Sequence, residues 1–216
     1  MKGKAVAQNY LHTLFTDRAR ALQQEAGSRT SYARMESGDH GPDLIGDAEA
    51  AFIAARDSFY MASVTETGWP YVQHRGGPPG FLHVLEGNRL GFADYRGNRQ
   101  FMSIANLEAS PRVSLFLMDY PNRRRLKLIG TASLVDGEAA PDLIASLMPP
   151  DYQAKAERAI IIDVVGYDWN CPQHITPRFG QADLEQAIMP FANELNQLRA
   201  ENARLQARLT EKETGQ

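Results

Sequence analysis

The middle of the chain alternates apolar and polar residues over short stretches that Gly, Pro and Asn interrupt. This pattern is typical of strands joined by hairpins. The strand candidates are residues 59–65, 71–75, 81–85, 89–94, 112–118, 124–134 and 159–165. At least six of them follow one another with few helices between them, which predicts a mainly β fold with flanking helices. The expected architecture is a six-stranded antiparallel split barrel.

Helical periodicity surrounds this β region. Within the first 26 residues, Tyr10, Leu14 and Leu22 fall on one stripe and Gly27 can end the helix, so one amphipathic N-terminal helix is predicted. Shorter helices are expected at 47–56, 98–107 and 141–147. The predicted organisation is an N-terminal helix and loop packing on the barrel (1–46), the barrel domain (47–180) and a C-terminal helix (181–216).

The C-terminal helix has the clearest period in the chain. Its stripe steps alternately by four and three residues, through Leu184, Ile188, Phe191, Leu195, Leu198, Asn202, Leu205 and Leu209. A spacing of 3.5 residues predicts a coiled-coil seam, and a single Asn on such a seam fixes register and strand number. We expect this helix to pair in an oligomer, a homodimer being the simplest. The alternative is a single helix that lies against its own domain.

Composition narrows the class of protein. The chain has 216 residues, 23 Lys and Arg against 26 Asp and Glu, and a net charge of −3, which argues against a nucleic-acid binder. A hydrophobic share of 43% is that of a globular protein, and no run is long enough for a membrane span. The single cysteine, Cys171, cannot form an internal disulfide, and no secretory signal is visible, so a cytoplasmic protein is expected.

No hydrolase, phosphate-loop or zinc-protease motif is present, and the five histidines are scattered without metal-ligand spacing. Three basic clusters stand at predicted strand ends instead: 73–77 (QHRGG), 94–99 (DYRGNR) and 123–127 (RRRLK). Each alone fits a surface hairpin, a capped turn or a charged strand edge. Together they place Arg75, Arg99 and Arg125 at the ends of strands in one predicted barrel, so we expect them to converge on a phosphorylated ligand.

Four stretches resemble one known family in order and spacing. They are 68–73 (GWPYVQ), 91–99 (GFADYRGNR), 111–115 (PRVSL) and 124–130 (RRLKLIG). Together they look like the pyridoxamine-phosphate-oxidase-like superfamily of FMN-binding split barrels. The segments 74–81 and 170–175 are similar to a bacterial branch of its FMN-binding members.

The resemblance implies that FMN binds between two subunits. The family's phosphate-gripping Ser-Arg-Lys falls on Gly97, Asn98 and Arg99, while the family's strand arginine falls on Gln73, so its role passes to Arg75 two positions later. Arg125 would reach the flavin ring. The partner chain would cover the ring with residues among Trp169, Asn170, Gln173, His174 and Arg178. The expected cofactor-binding residues are Gln73, His74, Arg75, Gly76, Asp94, Tyr95, Asn98, Arg99, Arg125, Lys127, Trp169, Asn170 and Gln173.

The family's vitamin oxidases end in an Arg-Leu-His-x-Arg segment, which this chain lacks. The expected function is therefore an FMN-dependent oxidoreductase for a small organic substrate other than the vitamin phosphate, with His174 as the candidate catalytic residue. Two alternatives remain. One is a binding protein without turnover whose tail recruits a partner, and the other is a haem protein with His74, His83 or His174 as axial ligand.

Overall fold

The computed structural model describes residues 7–37, 41–169 and 172–214. Its elements in chain order are α1 Tyr10–Leu14, α2 Asp17–Glu25, α3 Arg29–Ser37, α4 Asp47–Ala54, β1 Ser58–Val64, β2 Pro70–Gly76, β3 His83–Leu85, β4 Arg89–Tyr95, α5 Met102–Ala109, β5 Arg112–Asp119, β6 Arg124–Asp136, α6 Pro141–Leu147, β7 Ala156–Trp169 and α7 Gln181–Thr214. They fall into two compact units, one drawn from Met1–Asp119 with Arg123–His174 and the other from Tyr120–Asn122 with Ile175–Gln216.

A single antiparallel sheet forms the first unit, with the strand order β2-β1-β5-β6-β7-β4-β3. The predicted count of six is wrong: the sheet has seven strands, because the three-residue β3 forms its own ladder with β4. The sheet curls without closing, since β2 and β3 remain its edges. Its curvature brings the rings of Phe59 on β1 and Phe92 on β4 together, with their centroids 5.3 Å apart. In the sheet, β4 is the fourth strand from β1.

The concave face of the sheet holds the main core. On β1, Phe59 and Met61 point inward and are at most 1% exposed, whereas Tyr60 between them is exposed on the outer face. Burying one such side chain contributes about 1.5–3 kcal/mol. A smaller cluster around Leu147 of α6 covers the outer face of β4 and β7. β7 is therefore buried on both faces, which explains its continuous apolar run.

Gly130 marks an irregularity in the β6–β7 ladder, the longest in the sheet. The register shifts between Ile129 and Gly130. A Cβ at Gly130 would lie 2.5 Å from the backbone oxygen of Asp163. The close approach of the two backbones therefore requires a residue without a side chain at this point.

The N-terminal region contradicts the prediction of one helix, because α1 and α2 replace it and a further helix, α3, lies in the segment predicted as loop. The side chain of Asn9 accepts hydrogen bonds from the backbone of Leu11 and His12, and Thr16 accepts one from Ala19. Each therefore starts a new helix. The hydrophobic stripe continues across the break at Phe15, so periodicity alone did not reveal the caps.

The C-terminal helix α7 begins at Gln181, where the sequence predicts it, and continues through Pro190 for 34 residues. No described helix combines the length and the apolar character that crossing a membrane requires.

Candidate functional site

A cavity of about 290 Å³ opens where β2, β4 and β7 meet the start of α5. The inner face of β2 contributes Gln73 and Arg75, β4 contributes Asp94 and Tyr95, and β7 contributes Glu157 and Arg158. The turn from Gly97 to Phe101 closes one side. Strands that are far apart in sequence thus converge on one polar site.

One carboxylate ties two guanidinium groups together at the base of the cavity. Arg75 Nη1 donates a 2.7 Å hydrogen bond to Asp94 Oδ1, and Arg158 Nη1 lies 3.6 Å from Asp94 Oδ2. Asp94 and Arg158 are directly opposite in the β4–β7 ladder, which fixes this contact. All three side chains are less than 20% exposed. The network therefore holds both arginines in place without a ligand.

A second carboxylate lies at the rim. Glu157 Oε1 accepts hydrogen bonds from Arg99 Nη2 at 2.6 Å and from Arg96 Nε at 2.8 Å. These hydrogen bonds hold the pKa of Glu157 below its usual value, and the bond from Arg99 has the larger effect. The residues that line the cavity include three guanidinium groups, of Arg75, Arg99 and Arg158, against the two carboxylates of Asp94 and Glu157. Its charge balance is one net positive charge, which favours an anion.

The N-terminus of α5 adds partial positive charge at the same place. Phe101 precedes this helix in a left-handed conformation (φ 56°), and no described side chain caps the first turn. Unsatisfied amides at a helix N-terminus favour an anion. The site also contains a polar atom that lacks a partner among the described residues, the buried Nε of Arg75. An incoming group can satisfy this atom, so the arrangement fits a phosphate-bearing ligand.

We expect Tyr95 to stay protonated well above the usual range. Burial, with a smaller contribution from Tyr152, raises its pKa to about 12. Because the folded state keeps the proton while the unfolded state loses it near pH 10, stability is expected to fall as the pH rises from about 10 to 12. The difference in tyrosinate absorbance between the wild type and Tyr95→Phe should show no step between pH 9 and 11. A step centred near pH 10 would contradict this placement.

Six of the residues predicted from the sequence line this cavity, namely Gln73, Arg75, Asp94, Tyr95, Asn98 and Arg99. His74 and Gly76 line a smaller cavity of about 160 Å³, which Arg75, Asp94 and Tyr95 also line. Gln73 Oε1 accepts hydrogen bonds from Tyr71 Oη and Ser103 Oγ, so its amide is fixed against β2 and α5.

Arg125 and Lys127 do not line either cavity. Alternation on β6 places both on the outer face of the sheet, opposite to the inner face that carries Arg75. Lys127 Nζ pairs with Asp168 at 2.6 Å. Arg125 lies over the ring of Phe116, and its Nε has no partner among the described residues. Of the three arginines expected to converge on a ligand, only Arg75 and Arg99 line the same cavity within one chain.

Of the other predicted residues that the structure describes in the first unit, none lines the cavity. Trp169 Nε1 donates to Glu49 Oε1 at 2.8 Å, and its ring meets the edge of Phe52, so it packs against the core. Gln173 and His174 are exposed. Asn170 lies outside the described residues. Arg178, in the second unit, stands over the ring of Tyr120.

Sequence reasoning missed Arg158, the second arginine on Asp94. It stands at the start of β7, and the ladder that carries it to the site joins β4 to a strand more than 60 residues later. No local pattern in the sequence announces that pairing. Among the described residues, no group of three or more His, Cys, Asp or Glu side chains could hold a metal ion. Of the histidines proposed for haem, His74 lines the smaller cavity, whereas His83 and His174 line neither.

Comparison with known proteins gives one match to a family. A family profile described as pyridoxamine 5'-phosphate oxidase matches residues 45–165, more than half of the chain. A search of the curated proteins found no match.

Some solved structures are similar to this chain at low sequence identity. An FMN-binding protein from Syntrophomonas wolfei is 10% identical over 68% of this chain and 97% of its own, with a TM-score of 0.46. HupZ of Group A Streptococcus is 14% identical over 63% of this chain and 100% of its own, with a TM-score of 0.45. General stress protein 26 of Bacillus anthracis is 15% identical over 55% of this chain and 88% of its own, with a TM-score of 0.40.

Proposed function

Because the chain belongs to the pyridoxamine 5'-phosphate oxidase family, we propose that it is an FMN-dependent oxidoreductase of a small organic substrate. The cavity described above would hold the phosphate of the cofactor. The observation that carries this proposal is the cluster of Arg75, Arg99 and Arg158 beside an uncapped helix N-terminus. A dianionic phosphate accepts several charge-assisted hydrogen bonds, and few other ligand groups need so many cationic donors.

Each side chain has a definable part in binding. The Nε of Arg75 has no described partner and can donate to the phosphate. Because Arg75 donates to Asp94 through a different atom, Nη1, it can bind the phosphate and keep its bond to Asp94. The side chain of Arg99 is half-exposed, so it can exchange its ion pair with Glu157 for one with the phosphate. Glu157 then still forms an ion pair with Arg96. The amides at the start of α5 complete the set of donors.

Bound FMN supplies reversible hydride and electron transfer at its ring system. The protein's part is to fix the ring and to stabilise the negative charge of the reduced form. His174 stays a prediction for proton transfer.

A second copy of the chain would complete the site. Arg125 faces away from the cavity of its own chain, yet its buried Nε has no described partner. The same outer face exposes Tyr60, Val64 and Val72, at 41%, 42% and 60%. Contiguous exposed apolar side chains mark a protein–protein contact. Pairing two such faces would bury them and bring Arg125 of one copy to the ligand of the other.

Binding of FMN and riboflavin, which differ only in the phosphate, tests the proposal. Since charged hydrogen bonds contribute about 1.5–3 kcal/mol each, we expect FMN to bind at least roughly a hundredfold more tightly, as measured by flavin fluorescence titration. Equal affinity for the two flavins, or no binding of either, would overturn the assignment of the cavity. Turnover is then tested by following reoxidation of the reduced holoprotein with candidate organic acceptors.

A further inference from the structure

The surface of α7 that follows Pro190 carries a stripe of large apolar side chains. Phe191, Leu195, Leu198, Leu205 and Leu209 are all between 47% and 71% exposed. They follow one another at intervals of four, three, seven and four residues, so they share one face of the helix. Asn202 occupies the gap of seven, at the point where another apolar residue would stand. An apolar stripe of this length needs a partner that covers it.

We propose that this stripe pairs with a second copy of α7 in a parallel, in-register, two-stranded coiled coil. The interval pattern assigns Leu195, Asn202 and Leu209 to the first core position of the heptad. Phe191, Leu198 and Leu205 then take the other core position, and Pro190 falls on the outer side. The proposal concerns the second unit and does not depend on flavin binding.

Asn202 decides the orientation. In a parallel pair, each core residue faces its own counterpart, so the Asn202 amides of the two chains can hydrogen-bond to each other. In an antiparallel pair, Asn202 would face a leucine or Phe191, and its buried amide would lose its partner at a cost of about 1–3 kcal/mol. A single core Asn likewise favours two strands over three or four.

The charges beside the seam agree with the parallel arrangement. Glu194 and Arg199 flank the core five residues apart, at the two positions that meet between parallel strands. In the pair, Glu194 of one helix lies beside Arg199 of the other, and two-fold symmetry repeats the contact. The partner that fits this surface in both apolar and charge pattern is therefore a second copy of the chain.

Disulfide trapping in the full-length protein tests the proposal. In a Cys171→Ser background, Leu209→Cys places one thiol on the seam and keeps Asn202, and two parallel helices bring the pair within reach of a disulfide. The matched control is Ala207→Cys, which lies on the outer side of the same turn. Under mild oxidation we expect Leu209→Cys to form a species of twice the chain mass at least about tenfold faster than the control. Equal rates would overturn the proposal.

A second substitution separates the seam from any other contact. Leu198→Glu, added to Leu209→Cys, places a charge in the core of the coil and should abolish the fast cross-link. FMN binding should stay unchanged, because Leu198 lies in the second unit. If the cross-link forms as fast with Leu198→Glu as without it, the thiols meet through some other surface and the coil is wrong.

Discussion

Replacing Arg75 by methionine is expected to weaken FMN binding by roughly ten- to a hundredfold, which corresponds to the loss of one charged hydrogen-bond donor of about 1.5–3 kcal/mol. The same change leaves Asp94 with Arg158 alone, at 3.6 Å. Since breaking a buried ion pair costs about 3 kcal/mol or more, the free energy of unfolding should fall as well. Flavin titration and urea denaturation measure the two effects separately.

Two further variants keep this prediction open to refutation. Combining Arg75→Met with Asp94→Asn removes the uncompensated carboxylate, so stability should recover in part while FMN binding stays weak. Arg18→Met is the matched control, because Arg18 is 70% exposed and pairs only at the surface. If the double variant binds FMN as tightly as the wild type, Arg75 does not contact the phosphate.

Gly130→Ala is expected to produce the largest loss of stability among single-methyl additions. The new Cβ would lie 2.5 Å from the Asp163 oxygen and 2.7 Å from Ile162 Cγ2, so the backbones of β6 and β7 must separate. We expect a cost of about 3 kcal/mol, at the upper end of overpacking effects. For a chain of this size, that lowers Tm by roughly 6–12 °C, as measured by circular dichroism.

Gly97→Ala is the control for this substitution. A Cβ at Gly97 has no atom within 4 Å and needs no left-handed backbone. Its Tm should therefore stay within about 2 °C of the wild type. Equal losses for the two variants would show that the tight approach at Gly130 can relax without cost.

The sequence predicted most strands and the ends of several helices, because those depend on local signals. α6 at Pro141–Leu147 and the start of α7 at Gln181 agree with the expected bounds. The caps at Asn9 and Thr16 were overlooked, since the apolar stripe runs across them. The pairing of β4 with β7 could not be predicted from local signals, so the position of Arg158 opposite Asp94 could not be predicted either. Such long-range pairing depends on the whole sheet.

The site was predicted in part for the same reason. Gln73 and Arg75 share a face of β2 by simple alternation, and both line the cavity. Arg125 follows the same rule on β6, but alternation alone does not say which face is concave. The curvature of the sheet settles that question, and it places Arg125 outside.

Asp94 and Glu157 act as resident counterions among the arginines. Without them, three neighbouring guanidinium groups would repel one another whenever the cavity holds no anion. With them, the guanidinium groups stay paired when the cavity is empty, so folding does not depend on a bound anion. On binding the proposed phosphate, Arg99 would exchange an oxygen of Glu157 for one of the ligand, whereas Arg75 would keep its bond to Asp94.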